Sequence, residues 1–381
     1  MDFQLNDEQR MWQEAVHDFC QNELKPRAAQ TDEEAKLPLD VIKKMAPLGL
    51  LSLPVSEEDG GPGLDNISAA IAIEEVGRAC GSTALSVAAH NGLCVSPLVT
   101  YGTPEQKSNY LPELTSGDTL GSLALTEPGA GSDLAGGVQT SAILDGNEWL
   151  VNGSKAWITN PSLSPIIIAL CRTDKEAGNR GFNHIIIPTD APGVTINPPE
   201  KKMGLKGSPT HMLTFDHVTV PKGNLLGEAG CGLYQTLATL DGGRIGIGAM
   251  AVGLAQAALD EAIVYAKERQ TFGRPIAQHQ AIQTMFADVS TEIEAARLLV
   301  YRAAWLKDQG QNYSKAAAMG KLFASEAAER AAFKAIQIHG GYGYSAEFPV
   351  ERIYRDQRLL TIGEGTSEIL RMVISRRVLE E

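Results

Sequence analysis

The chain is poor in the features that would place it in several common classes. Its five cysteines, Cys20, Cys80, Cys94, Cys171 and Cys231, are scattered and odd in number, with no CxxC pair. That excludes a disulfide framework or a zinc site as the organising element. They read as ordinary core or surface thiols of a reducing compartment. Positive charge is in short supply, with 33 Lys and Arg against 46 Asp and Glu. A net charge of −13 argues against nonspecific nucleic-acid binding, although a locally basic site still accommodates an anionic ligand. No apolar stretch is expected to approach the length of a membrane-spanning helix. The N-terminus, Asp2 to Glu8, is acidic and lacks a signal-peptide layout. The expectation is a cytoplasmic protein with no integral membrane segment, or a mature chain already processed. Internal repeats and low-complexity segments are also missing.

What is present is enough apolar residue, 43% of 381, for more than one domain or one large one. Residues 1–120 read as helical. Glu8 to Leu24 carries Met11, Val16 and Phe19 among charges, and Thr103-Pro104 has the form of an N-cap followed by a first-turn proline. Residues 121–230 are rich in β-branched residues and turn signals. Ile166–Leu170 and His184–Ile187 read as buried strands, and Asn152-Gly153 as a hairpin turn. Residues 231–381 return to long Ala-rich helices. Apolar residues recur at Ala255, Leu259, Ala262 and Ala266, then from Ile282 to Val300, then at Met319, Leu322, Phe323 and Ala327. Such a series predicts an antiparallel bundle.

Several segments could carry chemistry. Glu364 lies between Gly363 and Gly365, which predicts an exposed turn, and Thr366 or Ser367 would cap the closing helix that begins near Glu368. A solvated loop acid is the common use of such a sequence. Leu125 to Asp133 combines glycines, which allow close backbone approach, with the hydroxyls of Thr126 and Ser132. It fits neither a Walker nor a Rossmann phosphate loop. Trp157, Ile158 and Thr159 offer an aromatic beside a hydroxyl, otherwise a core strand. Arg269 suits a diphosphate, or a helix C-terminus. Gln337, Gly340 and Gly341 flank His339, which reads as structural because no metal-ligand spacing surrounds it. Glu127 and Asp133 likewise read as structural. Asp241 and Arg244 would serve as a helix-start ion pair or meet a ligand.

In their order and spacing these segments resemble the acyl-CoA dehydrogenase family of FAD enzymes, over essentially the whole chain. The resemblance implies an α+β multi-domain fold: an N-terminal α-helical domain, a middle β-barrel or sandwich domain and a C-terminal four-helix bundle. It implies that Glu364 removes the pro-R α-proton of an acyl thioester while the β-hydrogen leaves as hydride to flavin N5. Burial would raise the pKa of the base, and its own backbone N–H would help stabilise the enolate. By the same resemblance, Leu125, Thr126, Ser132, Trp157, Ile158 and Thr159 lie along the flavin, with Ser132 also near CoA. Asp241, Arg244, Gly363 and Gly365 meet the substrate. Arg269, Gln280, Gln337, Gly340, Gly341, Thr366, Ser367 and Glu368 meet FAD, several of them across a subunit interface, which implies a homotetramer. Electrons would pass to an electron-transfer flavoprotein.

Some relatives carry the base before the Arg of an Asp-x-x-Arg segment, a position held here by Gly243, so Glu364 is the remaining candidate. The chain also departs from the common pattern. Gly363 stands where many relatives have Tyr, which predicts a bulkier acyl group than butyryl: branched, cyclic or aryl-substituted. An oxidase, an acyl carrier protein-linked dehydrogenase and a catalytically silent assembly module are the rival readings.

Overall fold

The computed structural model describes residues 4–380. Capping chemistry punctuates the first third. The Thr103 hydroxyl accepts from the Gln106 N–H at 3.2 Å, and the Gln106 side chain accepts from the Thr103 N–H at 3.0 Å. With Pro104 in the first turn this is a capping box, and it starts the helix where the sequence places it. The helices up to this point are α1 (Asp7–Phe19), α2 (Ala28–Glu33), α3 (Leu39–Met45), α4 (Asn66–Ala79), α5 (Gly81–Ala89), α6 (Ser96–Tyr101) and α7 (Pro104–Thr115). A π-helical stretch, His90–Val95, joins α5 to α6. On α1, Val16 is buried as expected but Met11 is exposed. The inward stripe runs through Gln9, Trp12, Val16 and Cys20, and Met11 sits about 100° around the helix from Trp12.

The middle region holds β1 (Ser122–Ala124), the short α8 (Leu134–Gly137), β2 (Ser141–Asp145), β3 (Glu148–Thr159), β4 (Ile166–Arg172), β5 (Phe182–Pro188), β6 (Val194–Pro199), β7 (Thr210–Pro221) and β8 (Leu225–Leu226). The strands follow the order β6-β7-β3-β2-β4-β5-β8, with β1 parallel to β4. The strands expected at Ile166–Leu170 and His184–Ile187 are both present and buried. The hairpin expected at Asn152-Gly153 is not there. β3 runs straight through that dipeptide, and the turn lies at Gly146-Asn147, where Asp145 pairs with Glu148. Gly146 supplies the positive φ, 59°. Asn152-Gly153 instead forms a bulge against β7, with Gly153 at φ 148° and no room for a Cβ beside Thr140. Asn152 Oδ1 accepts the His217 N–H at 2.8 Å, so both residues serve the bulge rather than a turn.

Beyond a small hairpin at Gln270–Pro275, the last third is α9 (Gly232–Glu268), α10 (Gln280–Asp308), α11 (Ser314–His339), α12 (Pro349–Gln357) and α13 (Ser367–Glu380). The helix α9 packs on α10, on α11 and on α4 from the first third. It also corrects one expectation, because a stretch of it is long and apolar enough to span a membrane by length and composition. Its most apolar window is 72% buried inside the protein, as the core helix of the bundle. On α11 the buried stripe is Ala317, Ala324, Ala328, Ala331 and Ala335, whereas Met319, Leu322 and Phe323 are half-buried. Small residues let the axes approach closely, and bulk is displaced to the flanks.

Glycines carry the tightest of these contacts. A Cβ at Gly253 would collide with the Glu74 carbonyl of α4, and one at Gly77 would lie 3.0 Å from the Met250 carbonyl of α9. Gly253→Ala should therefore force the two helices apart and cost about 1–3 kcal/mol. Thermal unfolding should show a clear drop in Tm; an unchanged Tm would contradict this packing.

Candidate active site

The loop after α12 holds the acid that the sequence singles out. A 3₁₀ turn, Arg358–Thr361, leads into Gly363, Glu364 and Gly365. Thr366 is the cap of α13, its Oγ1 accepting the Ile369 N–H at 3.3 Å. The turn is where it was expected, but it does not present its acid to solvent. Glu364 adopts φ 52°, in the left-handed region, and Gly365 follows at φ 97°. This swings the carboxyl inward, where Oε2 is enclosed and meets no hydrogen-bond partner. Burial pushes the Glu364 pKa up to about 7, against the opposing pull of Lys321 and Arg244. The Glu364 N–H makes no hydrogen bond among the described residues.

Two helices grip this loop. Lys321, fully buried on α11, donates from Nζ to the Gly365 carbonyl at 2.7 Å. Burial pushes its own pKa down to about 8 while Glu364 pulls the other way. Nothing in the sequence marks Lys321, because a lysine in an Ala-rich helix reads as a solvated face. The helix α9 supplies the opposite wall. A side chain at Gly243 would collide with Glu364 Oε2, so the carboxyl occupies the space that the glycine leaves free. By contrast, a Cβ at Gly363 would make only ordinary contact, 3.5 Å from Leu359, so packing does not demand glycine there. Asp241 and Arg244 lie inside α9 rather than at a helix start, paired at 2.5 Å. Arg244 Nη2 is 3.8 Å from a Cβ position on Gly365. Arg244 Nε and Ser367 Oγ are buried without partners, like Glu364 Oε2. Three buried, unpartnered polar atoms around one loop mark it as a candidate ligand-binding site.

The middle-domain candidates form a second wall. Ala156 donates its N–H to the Thr126 carbonyl at 2.9 Å, which ties the Leu125–Ser132 loop to β3. Buried Lys155 fixes the same junction, donating to Glu127 at 2.9 Å and to the Leu125 carbonyl at 3.0 Å. Glu127 also accepts the N–H groups of Gln139 and Thr140, and Asp133 caps α8, so both acids are structural. Trp157 is not a core aromatic. It sits in a bulge at φ 61° and is 62% exposed. Ile158 points the other way into the β core, leaving Thr126, Trp157 and Thr159 partly open and Ser132 exposed. Gly129 and Gly131 face open space. The His90–Val95 stretch joins the two walls, since Leu93 packs against the cluster containing Leu125 and lies 3.1 Å from a Cβ position on Gly243.

A third group stands apart. Arg269 closes α9 with its guanidinium 5.6 Å from the Tyr342 ring, beside the Gly340–Tyr344 turn. Gln280, Gln337, Gly340 and Gly341 are exposed. His339 is buried, donor or acceptor to the Ala335 carbonyl at 2.8 Å and stacked on Tyr265, as a structural histidine would be. Along α11, Gln337 is 16 residues from Lys321, or about 24 Å at the helical rise. One chain therefore does not bring this group to Glu364.

A cavity of about 290 Å³ opens beside Gly243, between α4, α6 and α9, with Ile73, Ala88, Gly92, Gly242 and Ile245 among its walls.

Comparison with known proteins agrees across the chain. Residues 6–118, 122–218 and 230–379 match the family models for the N-terminal, middle and C-terminal domains of acyl-CoA dehydrogenase. The probable acyl-CoA dehydrogenase YngJ of Bacillus subtilis (strain 168) is 52% identical over 381 residues, all of both chains. The structure of butyryl-CoA dehydrogenase from Megasphaera elsdenii superposes with a TM-score of 0.96 at 40% identity, covering all of both chains. That of an acyl-CoA dehydrogenase complexed with FAD from Bacillus anthracis gives 0.93 at 36%, covering 99% of this chain and 68% of that one.

Burial of Glu364 has a thermodynamic signature. Its pKa is about 7 in the fold against 4.5 for an ordinary glutamate. The unfolded chain therefore releases this proton first, and stability falls as pH rises from about 4.5 to 7. Glu364→Gln should be more stable than the parent above pH 7, with the gap closing near pH 5. Urea unfolding at both pH values checks this, and a gap that does not change with pH would refute it.

Proposed function

The chain belongs to the acyl-CoA dehydrogenase family, and on that premise we propose that it oxidises a short acyl-CoA to the trans-2-enoyl-CoA with Glu364 as base. It is a flavoprotein oxidoreductase whose cofactor is FAD. The observation that carries the assignment is the enclosed, unpartnered Glu364 Oε2 against Gly243. A thioester α-carbon is a weak acid, and a carboxylate held near pKa 7 is a stronger base than one in water while still about half ionised at neutral pH. Oε2 takes the α-proton. The free Glu364 N–H serves as donor to the thioester carbonyl, stabilising the charge that develops there. FAD, held beside Thr126, Trp157 and Thr159, would supply the acceptor for the β-hydrogen and its electron pair.

The residues fit that cofactor. Exposed Trp157 supplies a planar apolar face, Thr126 and Thr159 supply hydroxyls, and the open glycines at 129 and 131 let backbone approach a ring. Arg244 and Asp241 meet the CoA arm, with Ser132 at its edge. Arg269, Gln280, Gln337, Gly340 and Gly341 serve the FAD of a neighbouring subunit in a homotetramer, which accounts for their distance from Glu364. Thr366, Ser367 and Glu368 are assigned to the same cofactor. An electron-transfer flavoprotein in the cytoplasm is the electron acceptor. The room left by Gly363 favours branching or a ring close to the reacting carbons.

Anaerobic titration of the FAD-loaded protein with butyryl-, isobutyryl-, isovaleryl- and cyclohexanecarbonyl-CoA tests the reading. Flavin absorbance should bleach with a branched or cyclic member, and Glu364→Gln should slow bleaching by about 10²–10⁴-fold. Undiminished bleaching in that variant would remove Glu364 as base. Butyryl-CoA far outpacing every branched or cyclic thioester would remove the assigned acyl shape.

Lys321 gives a second handle. Its charge lowers the Glu364 pKa, so Lys321→Met should move the acid limb of kcat/KM to higher pH, whereas Lys321→Arg should leave it near the parent. A limb that stays put in the Met variant would mean that Lys321 does not act on the base.

A further inference from the structure

Residues 200–209, between β6 and β7, leave the sheet and dock into the helices. Gly207 donates its N–H to Ser82 Oγ on α5 at 3.2 Å, and Ser208 Oγ meets Ser86 Oγ at 2.8 Å. A Cβ at Gly204 would lie 2.3 Å from the Arg355 carbonyl oxygen of α12. Leu205 is 1% exposed and packs in the helical core rather than in the β core. Its N–H donates to Asp356 Oδ1 of α12 at 2.5 Å. The Asp356 carboxyl is buried, and Oδ2 lies 3.0 Å from a Cβ position on Gly81, at the start of α5. Burial pushes the Asp356 pKa up to about 6, and the Leu205 N–H is the strongest pull the other way. A buried acid is costly unless it is hydrogen-bonded. Leu205 supplies the one hydrogen bond that Asp356 makes through its side chain among the described residues.

Both ends of this clamp lead to the reaction. Four residues beyond Leu205, the Pro209 carbonyl accepts the Asn160 N–H at 2.9 Å, directly after Thr159 and three residues after Trp157. Eight residues beyond Asp356, through the Arg358–Thr361 turn, stands Glu364. Trp157, Asn160, Leu205 and Glu364 have φ of 61°, 66°, 50° and 52°. Side chains of this kind hold that conformation only where their surroundings impose it. The Asp356–Leu205 bond thus joins the wall assigned to the flavin to the loop that carries the base. We propose that Asp356 is a positioning residue that sets Glu364 and the Trp157–Asn160 wall at the separation hydride transfer requires. This rests on the dehydrogenase reading above. Proton removal needs only the base and the thioester, whereas hydride transfer also needs the flavin ring in line. A small displacement of the wall therefore slows the second and spares the first.

The test compares two rates, per bound FAD, in the FAD-loaded oligomer. One is reduction of the flavin by the acyl-CoA that bleaches it fastest. The other is α-proton exchange of methylthioacetyl-CoA in deuterium oxide, followed by proton NMR. That thioester has sulfur in place of the β-carbon, so Glu364 can take a proton and return a deuteron, but no hydride can follow. Asp356→Ala should lower the reduction-to-exchange ratio about tenfold or more. Asp356→Asn keeps an oxygen for the Leu205 N–H and should recover most of it. Ser208→Ala loosens the same loop more mildly and should shift the ratio in the same direction, which decides the matter if Asp356→Ala does not fold. A ratio unmoved in the folded variants, or a parallel fall in both rates, overturns the positioning role while the dehydrogenase reading stands. A parent that exchanges no α-proton, or whose flavin no acyl-CoA reduces, removes the dehydrogenase reading and this inference with it.

Discussion

One carboxylate held out of water organises this molecule's chemistry. Glu364 Oε2 has no protein partner, and the surroundings that isolate it come from three separate elements. The loop supplies a left-handed pair, Glu364 and Gly365, that turns the side chain inward. The helix α11 supplies Lys321, which holds the Gly365 carbonyl at 2.7 Å. The helix α9 supplies Gly243, whose missing side chain is the space the carboxyl fills. Desolvation alone would raise the pKa and lower the ionised fraction. Lys321 and Arg244 moderate it, so the group stays near 7, basic enough to act and still ionised.

That arrangement needs α9 and α11 fixed relative to each other within a fraction of an ångström. Close helix packing through small residues does this. Gly253 and Gly77 let α4 and α9 touch backbone to backbone, and the alanine stripe of α11 lies against α9. The middle domain is attached to the same frame by buried polar contacts. His90 Nδ1 accepts the Gly121 N–H at 2.7 Å, and Asn160 donates to the Ser86 carbonyl at 2.9 Å. These anchors lie close in sequence to Leu125 and Trp157, so the loop and bulge inherit the rigidity of the helices.

Much of this was legible in the sequence, and the misses share a cause. The helix–sheet–helix order, the Thr103 cap and the buried strands follow from local pattern, whereas Glu364 stands out only through the family resemblance, since its glycine-flanked turn reads locally as an exposed acid. Asn152-Gly153 looked like a turn because the dipeptide reports only a need for unusual backbone, and a bulge meets that need as well as a hairpin does. Met319 and Leu322 read as core by size and spacing, whereas α11 packs through alanine. Lys321 escapes sequence reading, since no local pattern distinguishes a lysine at a helix surface from one buried against its neighbours. Trp157 was assigned to a ligand only through resemblance. Its exposure on a strand bulge is a tertiary property.

The most direct test of this account is the ionisation of Glu364 itself. Carboxyl infrared or carbon-13 titration of the folded protein, with Glu364→Gln as the blank, isolates its signal. The account predicts a midpoint near 7, the value that burial beside Lys321 and Arg244 gives. A midpoint in the ordinary glutamate range would mean that the carboxylate is solvated, and that it cannot be the tuned base described here.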